Sequence, residues 1–299
     1  MNGKVIFALA ALLALGAEAQ AGGMKIAVSI PPLAQIAKKL GGPDAQVFVI
    51  LKPGQSPHGY EPTPGDMKKL AEADFVAIIG LGLDNWIIKM AGSAGGGNLI
   101  KLVDLSEGLE PESLIGAGED GHDSHGGHEI HTANPHYWLD PAMMSLAAGL
   151  LATRMAASMD PAGKQDLKRR MAELEKELAA LDAEIKQTLK DARGGYVAFH
   201  GAWDYFARRY GLNQVGVIEE SPGKNPSARK IAMLVDRIKK TGAKTVMAEP
   251  QFSPRLAEAL AAEAGVKVGM ADPLGGIDGR RDYAEMMRYN GSSFSSALR

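Results

Sequence analysis

Seven histidines are distributed unevenly along the 299-residue chain, and their neighbours sort them into two kinds. His122, His125, His128 and His131 stand among Gly, Asp, Ser and Glu in the tract EDGHDSHGGHEIH, where nothing apolar surrounds an imidazole. His58, His136 and His200 adjoin stretches that have the character of folded structure. His58 follows the apolar run AQVFVIL, His136 precedes Tyr137-Trp138-Leu139, and His200 ends GYVAFH. Neutral imidazoles are metal ligands, and three of them with one carboxylate suit Zn2+ in a tetrahedral shell. Imidazole also holds Ni2+ and Cu2+, while Mn2+ prefers more oxygen, so zinc is the expectation rather than a consequence of ligand type alone. The carboxylates within reach in the sequence pattern are Glu249 and Asp272. The chemistry expected is metal capture, with a solvated histidine tract gathering ions beside a preformed site.

The elements that must position these groups alternate between short apolar strands and helices, the pattern of parallel sheet with crossover helices. Strands are predicted at 24–30, 45–51, 75–79 and 98–102, with helices at 32–40, 65–73 and 84–91 between them. Thr63-Pro64 and Asp140-Pro141 each read as a cap followed by proline in the first helical turn, and a helix from 141 to about 159 follows the second. Residues 163–191 carry Leu167, Met171, Leu174, Leu178, Leu181, Ile185 and Leu189 at spacings of three and four, one apolar stripe on a long helix. That stripe suits a strut between two lobes, with a coiled-coil partner as the alternative. The alternation then restarts, with strands at 195–200, 214–218, 245–248 and 266–270, helices between them, a last helix near 280–289 and a frayed Ser-rich tail. The expected fold is α/β: two lobes, each a four-stranded mostly parallel sheet with flanking helices, joined by one long backbone helix. Residues 22–159 form the first lobe, 160–192 the linking helix and 193–299 the second lobe. In open α/β sheets ligands bind beyond the carboxyl ends of the strands. His58, His136, His200, Glu249 and Asp272 all fall at such ends, converging on one cleft from both lobes.

Composition narrows the class. A formal net charge of −2 gives no basic footprint for nucleic acid. Residues 1–21 combine Lys4, an apolar run and Ala19-Gln20-Ala21, the pattern of a secretory signal peptide cut after Ala21, and the run is too short for a membrane span. No cysteine occurs, which predicts an exported protein held by its core without disulfides and without a lipid-modified cysteine, free in a bacterial periplasm. The 14 methionines are scattered as core residues are, which disfavours a copper carrier.

The runs SPHGYEPTP, NPHYWLDP, FHGAWDYFARRYGL, AEPQFSP and DPLGG, in this order, resemble the cluster A-I substrate-binding proteins of metal-importing ABC transporters, and within them the zinc branch. The resemblance covers the whole mature chain. It implies a metal held between two α/β lobes by His58, His136 and His200 with Asp272 as the carboxylate, and delivery of Zn2+ to a membrane permease. Glu249, Tyr60 and Trp138 are then candidates for supporting the ligands, Glu249 by orienting His200 or Asp272. The implied partners are the permease, the zinc ion and a periplasmic zinc chaperone, with the protein a monomer. The manganese branch carries Glu where this chain has His200. Two features depart from the zinc branch: Pro57 stands where some members have an acidic residue, and the second-lobe disulfide of others is absent. The rival class is a zinc hydrolase, since three histidines and a water on zinc is also a catalytic pattern. A closed fourth position at Asp272 and the absence of an HExxH motif argue against it.

Overall fold

The computed structural model describes residues 23–93, 102–116, 133–220 and 223–299. Segment 1–21, expected as a signal peptide, and the tract carrying His122, His125, His128 and His131 lie outside the described residues. The first sheet is built from β1 (Lys25–Val28), β2 (Gln46–Val49), β3 (Phe75–Ile78) and β4 (Leu102–Asp104), in the order β2-β1-β3-β4. The second repeats that order with β5 (Gly195–His200), β6 (Asn213–Glu219), β7 (Thr245–Ala248) and β8 (Lys267–Met270), as β6-β5-β7-β8. Every strand pair is parallel, so each chain return uses a crossover. Helices α1 (Pro32–Gly41), α2 (Pro64–Glu72) and α3 (Asn85–Ser93) supply the first lobe's crossovers. Helices α6 (Asp204–Tyr210), α7 (Ala228–Thr241) and α8 (Arg255–Ala264) supply the second's. Strand β5 is buried along its whole length, as a central parallel strand covered on both faces must be.

Between the lobes run α4 (Pro141–Ala156) and α5 (Pro161–Thr188). Asp140 caps α4 by accepting from the Ala142 amide, and Asp160 caps α5 by accepting from Gly163. The α5 helix is 28 residues, about 42 Å at 1.5 Å per residue. Its stripe of Leu167, Leu174, Leu178, Leu181 and Ile185 is buried against α1, α4 and the last helix, α9 (Tyr283–Ala297), of the same chain, so the stripe has its partner internally. No helix among the described residues is long and apolar enough to cross a membrane.

Two boundaries depart from expectation. Strand β4 covers Leu102–Asp104, past the expected end at Leu102, with Val103 buried, and residues 98–101 of the expected strand lie outside the described residues. The tail expected to fray is helical: α9 (Tyr283–Ala297) is capped by Asp282 and continues through the serines. Phe294 inserts among Tyr196, Trp203 and Phe206, and Ser295 donates to the Thr188 carbonyl. Packing of a few residues overrides the poor helix propensity of the Ser run. One apolar core extends from the first sheet through α4 and α5 to α9 and the inner face of the second sheet, and a smaller one lies on the second sheet's outer face.

Candidate metal centre

Each imidazole arrives from a different element. His58 sits in a short 3-10 turn (Pro57–Gly59) after β2, held by Ser56 accepting from its amide and by Trp86 Nε1 donating to the Pro57 carbonyl. His136 opens a second 3-10 turn (His136–Leu139) that feeds α4, and His200 is the last residue of β5. Because β5 and β7 are neighbours whose outgoing connections diverge, His200 and Glu249 emerge side by side at a topological switch point.

The three rings meet edge to edge. His58 Nε2 lies 3.1 Å from His136 Nε2, and His200 Nε2 lies 3.2 Å from the same atom. Nitrogens bound to one tetrahedral zinc at about 2.0–2.1 Å stand about 3.3–3.4 Å apart, so the spacing is close to that of a loaded shell. Among the described residues, these three form the one group of His, Cys, Asp or Glu side chains close enough to share an ion.

The opposite ring nitrogens settle the protonation pattern. His136 Nδ1 is 2.7 Å from Asn134 Oδ1, and that oxygen also accepts from the His136 amide. His200 Nδ1 is 2.8 Å from Glu249 Oε1 and 2.7 Å from Oε2. Both partners are acceptors, so both Nδ1 atoms carry the proton and both Nε2 lone pairs face inward. Burial, and then the neighbouring His200 and His58, push the His136 pKa well below 6.5. His58 is exposed on its outer side, but the ring edge packed against its neighbours takes it down to about 3, burial first and His200 second. Protonation is therefore disfavoured where the lone pairs converge.

The enclosing cavity has a volume of about 10 Å³, room for about one water-sized body. The three histidines share its walls with Pro57, Trp138, Glu249, Gln251, Phe252 and Leu274. Trp138 is fully buried, its ring 5.0 Å from that of His136 and its Nε1 donating to the Pro273 carbonyl of the other lobe. Tyr60, the other aromatic candidate, bonds Asp66 and the Ile50 carbonyl and packs on Trp86, so it anchors the His58 loop without touching an imidazole. Glu249 orients His200, not Asp272, and also accepts from Trp203 Nε1.

Asp272, the expected fourth ligand, is not brought into the imidazole group. Its Oδ1 accepts from Gln251 Nε2 and from the Leu274 and Gly275 amides, and its Oδ2 lies 3.1 Å from Arg280 Nε. Asn290 of α9 clamps the Asp272 backbone from both sides. Asp272 Oδ1 is thus taken up in shaping the loop after β8, while the buried Oδ2 has the Arg280 ion pair and no hydrogen bond. Asn134, Gln251 and Arg280 are the polar residues that sequence reasoning missed. Only Asn134 had a local signal, since Asn two residues before a fixed group is the spacing of an Asx turn.

Two parallel α/β lobes, a long helix between them and an ion-sized histidine cavity walled by both lobes define a two-lobed metal-binding protein of the substrate-binding class. Residues 26–297 match the model of ZnuA, the periplasmic component A of the zinc-uptake complex, and the chain belongs to that family. It is 29% identical over 284 residues to the zinc-binding protein AdcA of Streptococcus pyogenes serotype M1, covering 90% of this chain and 55% of that one. It is 30% identical over 263 residues to the high-affinity zinc uptake system protein ZnuA of Haemophilus ducreyi, covering 84% of each. The chain thus spans about half the length of the AdcA relatives. A crystal structure of ZnuA superimposes with a TM-score of 0.80 at 32% identity, covering 93% of this chain and all of the other. The periplasmic zinc-binding protein TroA of Treponema pallidum shares the fold, with a TM-score of 0.79 at 21% identity.

Proposed function

We propose that the chain captures Zn2+ in the periplasm and delivers it to the membrane permease of an ABC importer, with His58, His136 and His200 as the ligands. The observation that carries this reading is the pair of inward lone pairs on His136 and His200, 3.2 Å apart in a cavity that disfavours protons. Two bare nitrogens repel at that distance, and a cation between them turns the repulsion into coordination. Asp272 takes a supporting place behind Gln251 in this reading. The size of the cavity favours a carrier over a hydrolase, because an ion fits and an organic substrate beside it does not. The same proposal places the protein in solution after removal of residues 1–21, acting as a monomer. It treats His122, His125, His128 and His131 as a low-affinity gathering tract and a zinc chaperone as a further source of the ion.

The test is a competition titration with Zn2+ on the wild type, on His200→Ala and on a variant lacking residues 119–131. One tight site lost in His200→Ala, with weaker sites lost in the deletion, is the expected result. Unchanged tight binding in His200→Ala would remove the cavity as the site.

A further inference from the structure

Glu249 and Gln251 are the cavity-wall residues with an enclosed oxygen that has no hydrogen-bond partner, and that of Glu249 already lies against His200 Nδ1, which leaves Gln251. Its Nε2 donates to Asp272 Oδ1 at 2.8 Å, while its Oε1 is enclosed by protein and meets no donor. An enclosed polar atom without a partner is costly, and native structures reserve such atoms for ligands or bound solvent. The orientation of the amide follows from its neighbour. Asp272 is ion-paired with Arg280 and accepts two backbone amides through the same oxygen that receives Gln251, so it can only accept, and the NH2 end must turn towards it. The carbonyl end is what remains for the cavity that Gln251 lines together with the three histidines.

We propose that Gln251 belongs to the metal site: its amide oxygen accepts a hydrogen bond from a water completing the ion's fourth position, and Asp272 and Arg280 are positioning residues that fix which end of the amide faces the ion. This inference rests on the zinc-site reading above and adds its fourth side. The relay also bears on metal choice. With Asp272 held by Arg280, the ion meets three neutral imidazoles and a neutral oxygen instead of a carboxylate. That set suits Zn2+ better than the oxygen-seeking Mn2+. Arg280 itself is kept in place by Tyr289, whose ring lies 4.3 Å below the guanidinium carbon.

The probes are Zn2+, Mn2+ and Co2+, the last because its visible absorption reports the ligands around it. Gln251→Leu keeps the bulk and removes the oxygen. It is expected to weaken Zn2+ about tenfold, the lower end for an outer partner of a metal ligand, and to change the Co2+ spectrum. Gln251→Glu returns an oxygen acceptor but removes the donor that Asp272 takes, so it is expected to recover only part of the Zn2+ affinity while improving the relative binding of Mn2+. Thermal unfolding of the metal-free variants separates loss of binding from loss of fold. Gln251→Leu also removes a donor to the buried Asp272, so a lowered Tm of the metal-free variant is expected and the Co2+ spectrum is the readout specific to the metal site. A Gln251→Leu protein that binds Zn2+ and gives the wild-type Co2+ spectrum would overturn the proposal while leaving the three-histidine site standing. If His200→Ala also leaves tight binding unchanged, the underlying site reading fails instead.

Discussion

At the scale of single residues, two of the three imidazoles, His136 and His200, are held in one tautomer by acceptors behind them. Glu249 contacts His200 Nδ1 through both oxygens, so its charge and its geometry both favour the tautomer with a bare Nε2. Glu249→Gln keeps one acceptor and removes the charge, and zinc affinity is expected to fall about tenfold, within the range for such partners. Unchanged affinity in a competition titration would show that His200 does not depend on Glu249. A second buried carboxylate acts away from the metal. Asp84 accepts from the Ile79 and Gly80 amides at 2.6 and 3.0 Å, bracing the end of β3 beneath Tyr137, whose hydroxyl bonds the Ile79 carbonyl. Burial raises its pKa from 3.8 to about 6, outweighing those hydrogen bonds. The folded state therefore holds this proton more firmly than the unfolded chain. The resulting stabilisation is complete below pH 3.8 and is lost as pH rises through about 6. Asp84→Asn cannot ionise, so its stability deficit relative to the wild type should shrink between pH 4 and pH 7, as measured by urea unfolding of metal-free protein. A deficit that grows over that interval would contradict the assignment.

At the scale of elements, α9 shows how a distant helix holds the site's second lobe. The spacing of Phe294 and Asn290 puts both on the buried face, where Phe294 fills the space among Tyr196, Trp203 and Phe206, and Asn290 brackets the Asp272 backbone. Phe294→Ala should cost about 3–5 kcal/mol, the usual range for emptying a buried Phe site, and chemical denaturation measures it directly. A cost near zero would mean that the tail helix contributes nothing to the core. Other elements were legible in advance because their signals are local. Asp140-Pro141 caps α4 as its sequence implies, β5 and β7 begin and end where their apolar runs do, and the α5 stripe reads straight off its three- and four-residue spacing. The α9 extension was not legible, since serine is a weak helix former and only the aromatic pocket around Phe294 makes that stretch helical.

At the scale of the whole molecule, the lobes are tied through several buried contacts rather than one hinge. Trp138 donates to Pro273, Tyr283 donates to Trp138, Asn134 reaches Gly201 and Asp204, and Tyr205 donates to Asn134. One core runs behind both sheets and α5. Opening the cleft widely would break all of these together, so metal binding should move loops and leave the lobes in place. Small-angle scattering of metal-free and zinc-loaded protein should agree in radius of gyration to within about 1 Å, as for preorganised binding proteins. A large compaction on loading would sink this view.

What the sequence by itself determined was which three imidazoles come together, the two-lobed parallel architecture and the helix between the lobes. Each rests on residue type, short-range periodicity or position at a strand end. The surroundings of the nearby carboxylates were decided by tertiary structure alone. Asp272 and Glu249 look alike in the sequence, both acidic, both at the end of a strand and both followed by proline. Their contacts diverge because Arg280 and the Leu274 and Gly275 amides meet Asp272, while β5 delivers His200 beside Glu249. Gln251 likewise reaches the cavity wall and the Asp272 carboxylate only through the fold.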